Sequence, residues 1–231
     1  SAASILVILP FDRAMITAAQ RFFTGANSFS LLAIPFFVLA GNIMNNGGIA
    51  KRLIGCARLV AHRLPGDLAQ TNIVANMLFG AISGSGVAAA SAMGSILRPM
   101  EEEEGYASEF SAAVNIASGP TGMMIPPSNI MIVYSTVAGS VSIAALFMAG
   151  YVPGILWGIG CMILTAIMAK KRGYISKEHY SLSTTLQVLW QGTPSLLLIV
   201  IVQILTKAGP LFRSLQERTD ALNLVVQENL T

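Results

Sequence analysis

Apolar residues in this chain run for long distances without a charge. Four stretches contain no charged residue: residues 22–50, 68–97, 110–169 and 180–206. About 20 apolar residues are needed for a helix to cross the hydrocarbon core of a bilayer. The pattern therefore predicts helices that cross a membrane, which we place at three sets of residues: 29–44, 143–169 and 186–206.

The second of these stretches is interrupted at its centre. Residues 77–97 read MLFGAISGSGVAAASAMGSIL, and four small residues stand in the middle: Ser83, Gly84, Ser85 and Gly86. The pattern predicts one helix over 71–81 and another over 87–97, each about 16 Å long at 1.5 Å per residue. That length is about half of a bilayer core of roughly 30 Å. We therefore predict a re-entrant helical hairpin that leaves the membrane on the side where it entered.

The third stretch contains a break of a different kind. Residues 118–129, SGPTGMMIPPSN, hold two glycines and three prolines, Pro120, Pro126 and Pro127. Proline removes an amide donor and blocks the continuation of a helix. We therefore predict one discontinuous helix, with its two halves at 110–117 and 130–137.

Residues 49–64 show the period of an amphipathic helix. Their apolar residues recur at three- and four-residue steps, at Ile49, Leu53, Cys56, Val60 and Leu64. The basic residues of this segment lie mostly elsewhere around the helix. The pattern is typical of a helix that lies on a membrane surface.

Three glycines in the span at 143–169 are spaced four residues apart. Gly150, Gly154 and Gly158 therefore fall on one face of a helix. Small residues at this spacing let helix backbones approach closely inside a membrane. We interpret them as a packing seam.

The composition is that of an all-α, polytopic integral membrane protein. Of 231 residues, 54% are hydrophobic and 11% are charged, whereas soluble domains carry about 25% charged residues. The mean hydropathy is +0.66. The net charge of +3 is too small to suggest a nucleic-acid partner.

The distribution of charge predicts which segments share a side of the membrane. Basic residues cluster at 51–63 and at 170–177, and such clusters are typical of the cytoplasmic side. Three full crossings between them would place them on opposite sides, whereas a returning hairpin and two crossings place them on the same side. We predict that both clusters share the cytoplasmic face with the acidic run at 101–104, which we expect to lie in water.

Helix breaks inside a membrane need a reason, because every unpaired backbone group there costs several kcal/mol. Secondary transporters use such breaks to bind substrates at half-helix N-termini and sodium at unwound carbonyls. The nearby side-chain oxygens are those of Ser83, Ser85, Ser118, Thr121, Ser128 and Asn129. Two breaks in successive segments favour a binding site, although a plain turn and a plain kink remain the structural alternative.

Several motifs in fixed order resemble the large membrane subunit of the bacterial TRAP (tripartite ATP-independent periplasmic) transporters. They are LLAIPFFVLAGNIMNNGGIAKRLI, LFGAISGSGVAAASAMGSIL, EEGY, GPTGMMIPPSNIMIVYS and SIAALFMAGYVPG, within about residues 20–201. The resemblance implies a multi-pass protein of the bacterial inner membrane that imports a small organic acid, such as a C4-dicarboxylate, by sodium symport. It also implies two protein partners, a small membrane subunit and a periplasmic binding protein, and no enzymatic activity. Sodium would be the coupling ion, with no other cofactor.

The resemblance also implies roles for individual residues. The hairpin tip and the break at 119–129 would form a sodium site, mostly from backbone carbonyls, with Ser83, Gly84, Gly86, Gly119, Thr121 and Pro126. The substrate would contact Ser83, Ser85, Ser128 and Asn129.

Two features depart from the family pattern. Residues 202–231 form an amphipathic segment that instead resembles the cytoplasmic extension of a helix in ABC exporters. We interpret residues 1–201 as a partial TRAP large-subunit domain, the first repeat, and residues 202–231 as a helical tail of different origin. The family's second, inverted repeat does not occur in this sequence, which opens at Ser1 within apolar residues. We therefore expect a fragment that does not transport by itself.

Two other functions stay open at this point. A fragment of an ABC exporter transmembrane domain would have long continuous helices. A non-transporting membrane scaffold would need no polar breaks at mid-membrane.

Overall fold

The computed structural model describes residues 47–138, 141–174 and 185–201, together with a few isolated positions outside these ranges. The predicted span at 29–44, apart from two isolated helical positions, and the predicted tail at 202–231, apart from Ile204, lie outside the described residues. Within the described part the fold is helical. Its helices are α1 Ile49–Ala61, α2 Asp67–Ser83, α3 Gly86–Glu103, α4 Ser108–Ser118, α5 Thr121–Met124, α6 Asn129–Ala138, α7 Ile143–Arg172 and α8 Thr185–Ile201.

Helices α2 and α3 form a helical hairpin, with Gly84 and Ser85 between them, and its re-entrant course in a membrane stays a prediction. Their lengths differ from the prediction of eleven residues each. Helix α2 has 17 residues and α3 has 18, which makes each about 26 Å long. Our estimate was wrong because we ended the helices where the apolar pattern ends. Residues such as Gln, Glu and Arg favour helices, so the helices continue through the polar flanks.

The second break lies where it was predicted. Helix α4 ends at Ser118, α6 begins at Asn129, and the single short helix α5 stands between them. Ile125 ends α5 in an extended conformation, with ψ of 120°. A residue before proline is disfavoured in the helical region, and Pro126 follows Ile125. The prolines therefore produce the break, as the sequence indicates.

Helix α1 packs on the hairpin through a face slightly different from the predicted one. Its buried residues are Ala50, Leu53, Ile54, Cys56, Ala57 and Ala61. Val60, which we placed on the apolar face, is 63% exposed. The prediction counted only large apolar residues and missed the alanines, which let α1 approach Ala75, Phe79 and Ile82 of α2 closely.

Helix α7 is, among the described helices, the one long and apolar enough to cross a membrane. Its glycine seam is confirmed as a packing surface. A Cβ atom at Gly154 would lie 2.8 Å from Ile125 Cγ1, and one at Gly158 would lie 2.5 Å from Met77 Sδ. A Cβ atom at Gly150 would likewise lie too close to the carbonyl oxygen of Met124. The seam therefore holds α7 against α2 and the α5 segment, while large apolar side chains elsewhere on α7 are exposed.

The charged segments gather at one end of the fold. Arg58 Nη2 lies 3.5 Å from Glu104 Oε1, which joins α1 to the end of the hairpin. The N–H of Gly66 donates to the carbonyl of Tyr174 at 3.0 Å, and the N–H of Ala107 donates to the Tyr174 hydroxyl, also at 3.0 Å. The two basic clusters, as far as residue 174, and the acidic run therefore lie at the same end of the fold, and the side of the membrane that this end faces stays a prediction.

One expectation about the acidic run is wrong. Glu102, Glu103 and Glu104 are exposed, but Glu101 is 1% exposed. Helix α3 continues through residue 103 and turns Glu101 toward α2 and α4, so this carboxyl lies inside the fold and not in water.

Candidate functional site

The tip of the hairpin is a tight turn between two helix ends. Gly84 has a φ of +65° and caps α2 through an N–H bond to the Gly80 carbonyl at 2.8 Å. This left-handed conformation is favourable for glycine alone. Ser85 caps α3, because its Oγ accepts from the N–H of Ala88 at 3.3 Å. A serine at this position satisfies an amide that the helix leaves without a partner.

The two breaks meet. The N–H of Asn129 donates to the carbonyl oxygen of Gly84 at 3.2 Å. A Cβ atom at Gly86 would lie 2.5 Å from the carbonyl oxygen of Gly119, so no side chain fits between these backbones. The expectation that the hairpin tip and the broken helix approach each other is confirmed.

Four helix ends converge at this junction. The C-terminal end of α2 contributes Gly84 and the N-terminal end of α3 contributes Gly86. The C-terminal end of α4 contributes Gly119, and the N-terminal end of α6 contributes Asn129. Helix C-termini carry partial negative charge and N-termini partial positive charge. The junction therefore presents dipoles suited to both a cation and an anion.

A buried polar cluster lies beneath the junction. Asn76 Nδ2 lies 2.9 Å from Asn72 Oδ1, 3.0 Å from Asn115 Oδ1 and 2.8 Å from Ser118 Oγ. An amide nitrogen has two N–H groups and cannot satisfy three acceptors at once. The cluster ties α2 to the end of α4 and so positions Ser118 and Gly119.

Sequence reasoning singled out Ser118 but missed the three asparagines. A signal for two of them exists, because Asn72 and Asn76 are spaced four residues apart in a stretch without charge. Polar residues inside membrane segments are costly and commonly functional. Asn115 is recognised only from the fold, where its Nδ2 donates to the carbonyl of Ala90 in α3 at 2.8 Å.

Helix α7 supports the end of α4 through a tryptophan. Trp157 Nε1 donates to the carbonyl oxygen of Ala117 at 2.9 Å, and Cys161 Sγ lies 3.6 Å from the same oxygen. The last carbonyls of a helix have no partner within it. The side chains of α7 therefore satisfy a backbone group that the break leaves open.

Comparison with known families agrees with this architecture. Residues 1–216 match the family model described as "Tripartite ATP-independent periplasmic transporter, DctM component". The chain belongs to the DctM family. The match extends beyond residue 201, where we placed the start of the tail, and a separate origin for residues 202–231 stays a prediction.

Several known proteins are similar to this chain over most of its length. The protein YgiK of Salmonella typhimurium is 54% identical over 86% of this chain and 46% of its own length. The isethionate TRAP transporter permease protein DctMQ of Oleidesulfovibrio alaskensis is 42% identical, over 84% of this chain and 30% of its own. The C4-dicarboxylate TRAP transporter large permease protein DctM of Rhodobacter capsulatus is 36% identical, over 80% of this chain and 45% of its own. The chain spans less than half the length of each of these relatives.

The DctM-family chain places the residues of the predicted sodium site at or beside the junction. Ser83 is the last residue of α2 and is 2% exposed, with its Oγ accepting from the N–H of Ser85 at 3.4 Å. Gly84, Gly86 and Gly119 form the junction itself. Thr121 is fully buried, but its Oγ1 donates to the carbonyl of Ser118 at 2.6 Å and so serves its own segment. Pro126 is buried between α5 and α6. The ion-binding roles of these residues stay predictions.

The residues predicted for substrate binding differ in what their side chains do. Ser85 Oγ is used as a helix cap. Ser128 is fully buried, and its Oγ accepts from the N–H of Met131 at 3.5 Å. Asn129 Oδ1 is buried and accepts no hydrogen bond, although it lies beside Gly84. Such atoms are rare in folded proteins, which makes Asn129 Oδ1 the side-chain oxygen at the junction best placed to contact a ligand.

Proposed function

We propose that the protein containing this chain is a sodium-coupled secondary transporter that imports a small organic acid across the bacterial inner membrane. The contact between Gly84 and Asn129 carries this proposal, because it brings two helix breaks together in a chain of the DctM family. An ABC exporter domain is disfavoured by the broken helices. A scaffold without transport would gain nothing from a buried acceptor such as Asn129 Oδ1.

The proposed placement in the membrane follows from the charged end of the fold. Basic segments favour the cytoplasmic side, so the end that contains Arg58 and Lys170 faces the cytoplasm. The apolar part of α3, residues 87–97, extends about 16 Å from that end to the tip. The rest of α3 lies outside the hydrocarbon core in this placement. The tip of α3 therefore lies near the middle of a core that is about 30 Å thick. The hairpin is re-entrant in this placement.

The proposed sodium site uses the backbone of the junction. Its oxygens come from the segments that hold Ser83, Gly84, Gly86, Gly119, Thr121 and Pro126, with Asn129 Oδ1 added from the structure. A cation near the midplane has lost its water and needs several oxygen dipoles, which unwound backbone supplies. The C-terminal ends of α2 and α4 add partial negative charge.

The proposed substrate is a small organic anion. The names of two relatives mention isethionate and C4-dicarboxylate, both of which carry an acidic group. The N-terminal ends of α3 and α6 carry partial positive charge and favour such a group. Hydroxyls of Ser83, Ser85 and Ser128 and the side chain of Asn129 would complete its contacts. A periplasmic binding protein and a small membrane subunit are the proposed partners.

Transport by the full-length protein tests this function. The protein, with its proposed partner proteins, is reconstituted in liposomes and supplied with labelled C4-dicarboxylate, isethionate or a sugar acid. We expect uptake of one of these acids that requires an inward sodium gradient. Uptake that is equal with potassium in place of sodium would contradict sodium coupling, and uptake of none of these acids would contradict the substrate class.

A further inference from the structure

A cleft opens at the charged end of the hairpin, away from the junction. It lies between α2, α3 and α4 and has a volume of about 360 Å³. Its polar lining includes Asn72, Ser91, Ser95, Glu101, Ser111 and Asn115. Glu101 lies four residues beyond Leu97, where the apolar part of α3 ends. The end of the cleft that holds Glu101 therefore belongs to the part of the hairpin that we place at the membrane surface.

Two buried polar atoms line this cleft without a hydrogen bond. Glu101 is 1% exposed and Ser111 is 2% exposed, and neither Glu101 Oε1 nor Ser111 Oγ has a partner of ordinary geometry. Leaving such atoms unsatisfied destabilises the folded state. Ser111 and Asn72 nevertheless lie near enough to act on the carboxyl group. Neither Glu101 Oε1 nor Ser111 Oγ thus has the hydrogen bond that buried polar groups ordinarily make.

The charges around Glu101 do not compensate a negative charge on it. Burial raises the pKa of Glu101, the neighbouring polar side chains of Ser111 and Asn72 lower it, and the nearby Glu102 carboxylate raises it again. Arg98 lines the cleft, but its Nε donates to Glu102 Oε1 at 2.8 Å and its Nη2 to Ser108 Oγ at 3.2 Å.

The other charged groups on the helices around Glu101 have contacts of their own or are exposed, as Lys51 and Arg52 of α1 are. On α2, Asp67 accepts from the Tyr106 hydroxyl at 3.2 Å. On α1, Arg58 pairs with Glu104. On α4, Glu109 is exposed. Burial therefore dominates the environment of the Glu101 carboxyl, and it favours the neutral form.

We propose that Glu101, together with Ser111 and Asn72, forms a proton-binding site of this chain. Protonation removes the buried negative charge of Glu101, whereas the neighbouring side chains of Ser111 and Asn72, each of which carries a donor, stabilise the ionised form in part. The cleft connects the carboxyl to water, from which the proton comes and to which it returns. The site uses none of the residues of the proposed sodium site.

Proton binding at this site couples pH to the packing of the hairpin. The folded state holds the proton more tightly than the unfolded chain, where a glutamate has its ordinary pKa of about 4.3. The stabilisation is therefore complete below that value and is lost as the pH rises through the higher pKa of the folded state. Once ionised, the carboxylate requires water in the cleft or a separation of α3 from α4.

Thermal unfolding of the purified chain in detergent tests the site. The variant Glu101→Gln imitates the protonated carboxyl at every pH, and Glu103→Gln, one exposed glutamate further along α3, is the control. Between about pH 5 and pH 8 we expect the wild-type unfolding temperature to fall relative to that of Glu101→Gln, by up to about 3–5 °C per pH unit. Glu103→Gln should follow the wild type.

A second variant and a direct measurement cover the case in which Glu101→Gln does not fold. Removing the hydroxyl in Ser111→Ala should move the pH midpoint of the wild-type change upward, because that hydroxyl lowers the carboxyl's pKa. The infrared carbonyl band of a protonated carboxylic acid should titrate with the same midpoint. Parallel curves for wild type and Glu101→Gln, or an unchanged midpoint in Ser111→Ala, would overturn the site. A dependence on sodium or potassium that Glu101→Gln abolishes would show a metal cation in place of a proton.

Discussion

The N–H of Asn129 donates a hydrogen bond to the carbonyl oxygen of Gly84 across 3.2 Å. This contact joins two residues that are 45 positions apart, each at the break of an otherwise apolar segment. It fixes the tip of the hairpin against the start of α6 and leaves Asn129 Oδ1 buried beside it without a hydrogen bond. We propose that a sodium ion binds at this contact.

The close approach of Gly86 to Gly119 makes Gly86 sensitive to substitution. A valine there would bring its Cβ to 2.5 Å from the Gly119 carbonyl oxygen. We expect Gly86→Val to lower the free energy of unfolding by about 2 kcal/mol or more, since overpacking against backbone cannot relax easily. Gly160→Ala in α7 is the control, because among the described residues no atom outside its own stretch of helix lies within 4 Å of its Cβ position. Thermal unfolding in detergent measures both, and an equal effect of the two variants would contradict the tight junction.

Asn76 should contribute to stability through the acceptors around its Nδ2. The variant Asn76→Ala leaves Asn115 Oδ1 and Ser118 Oγ without this donor inside the fold. We expect a loss of about 1–3 kcal/mol in the free energy of unfolding. Ser91→Ala, on the exposed side of α3, should change it by less than about 0.5 kcal/mol. A stability of Asn76→Ala equal to that of Ser91→Ala would show that the cluster does not hold α2 to α4.

The two tryptophans should differ in their response to substitution by phenylalanine. Trp157→Phe removes the N–H that bonds the Ala117 carbonyl at the end of α4. We expect a loss of about 1 kcal/mol in the free energy of unfolding. Trp190 is 80% exposed on α8, and Trp190→Phe is the matched control with little effect. The support of α4 by α7 would be refuted if Trp190→Phe were the more destabilising of the two.

The grouping of charged segments predicts the topology in the membrane. Single cysteines in place of Lys51, Glu103 and Lys171, with Cys56 and Cys161 replaced by alanine, should all react with a thiol reagent from the cytoplasmic side. All three positions are exposed in the fold. Labelling of the cysteine at position 103 from the periplasm, with the other two protected, would exclude a re-entrant hairpin.

The sequence predicts the helix breaks and the helices around them because glycine and proline act locally. The break between Ser118 and Asn129 follows from the prolines, and the turn at Gly84 follows from small residues in an apolar segment. The length of α2 and α3 was not predictable from apolar pattern, since their polar flanks also favour helix. The exposure of Val60 was not predictable either, because it depends on which side of α1 packs against the hairpin.

The burial of Glu101 could not be predicted, because it depends on residues distant in sequence. Four consecutive glutamates give no reason to single out the first. Only the packing of α3 between α2 and α4 places that carboxyl beside Asn72 and Ser111. The same holds for Asn115, whose partners lie on α2 and α3. Sequence pattern thus located the candidate site but not the polar groups that surround it.

The most direct test of sodium binding at the contact between Gly84 and Asn129 is the effect of sodium on the unfolding temperature of the purified chain in detergent. Sodium chloride is compared with potassium chloride at equal ionic strength, and an ion that binds only the folded state raises the unfolding temperature. We predict that sodium stabilises the wild type and Gly160→Ala but not Asn129→Ala, which keeps the backbone bond to Gly84 and removes only the side-chain oxygen and nitrogen. Equal unfolding temperatures of the wild type in the two salts, or an undiminished sodium effect in Asn129→Ala, would contradict the claim.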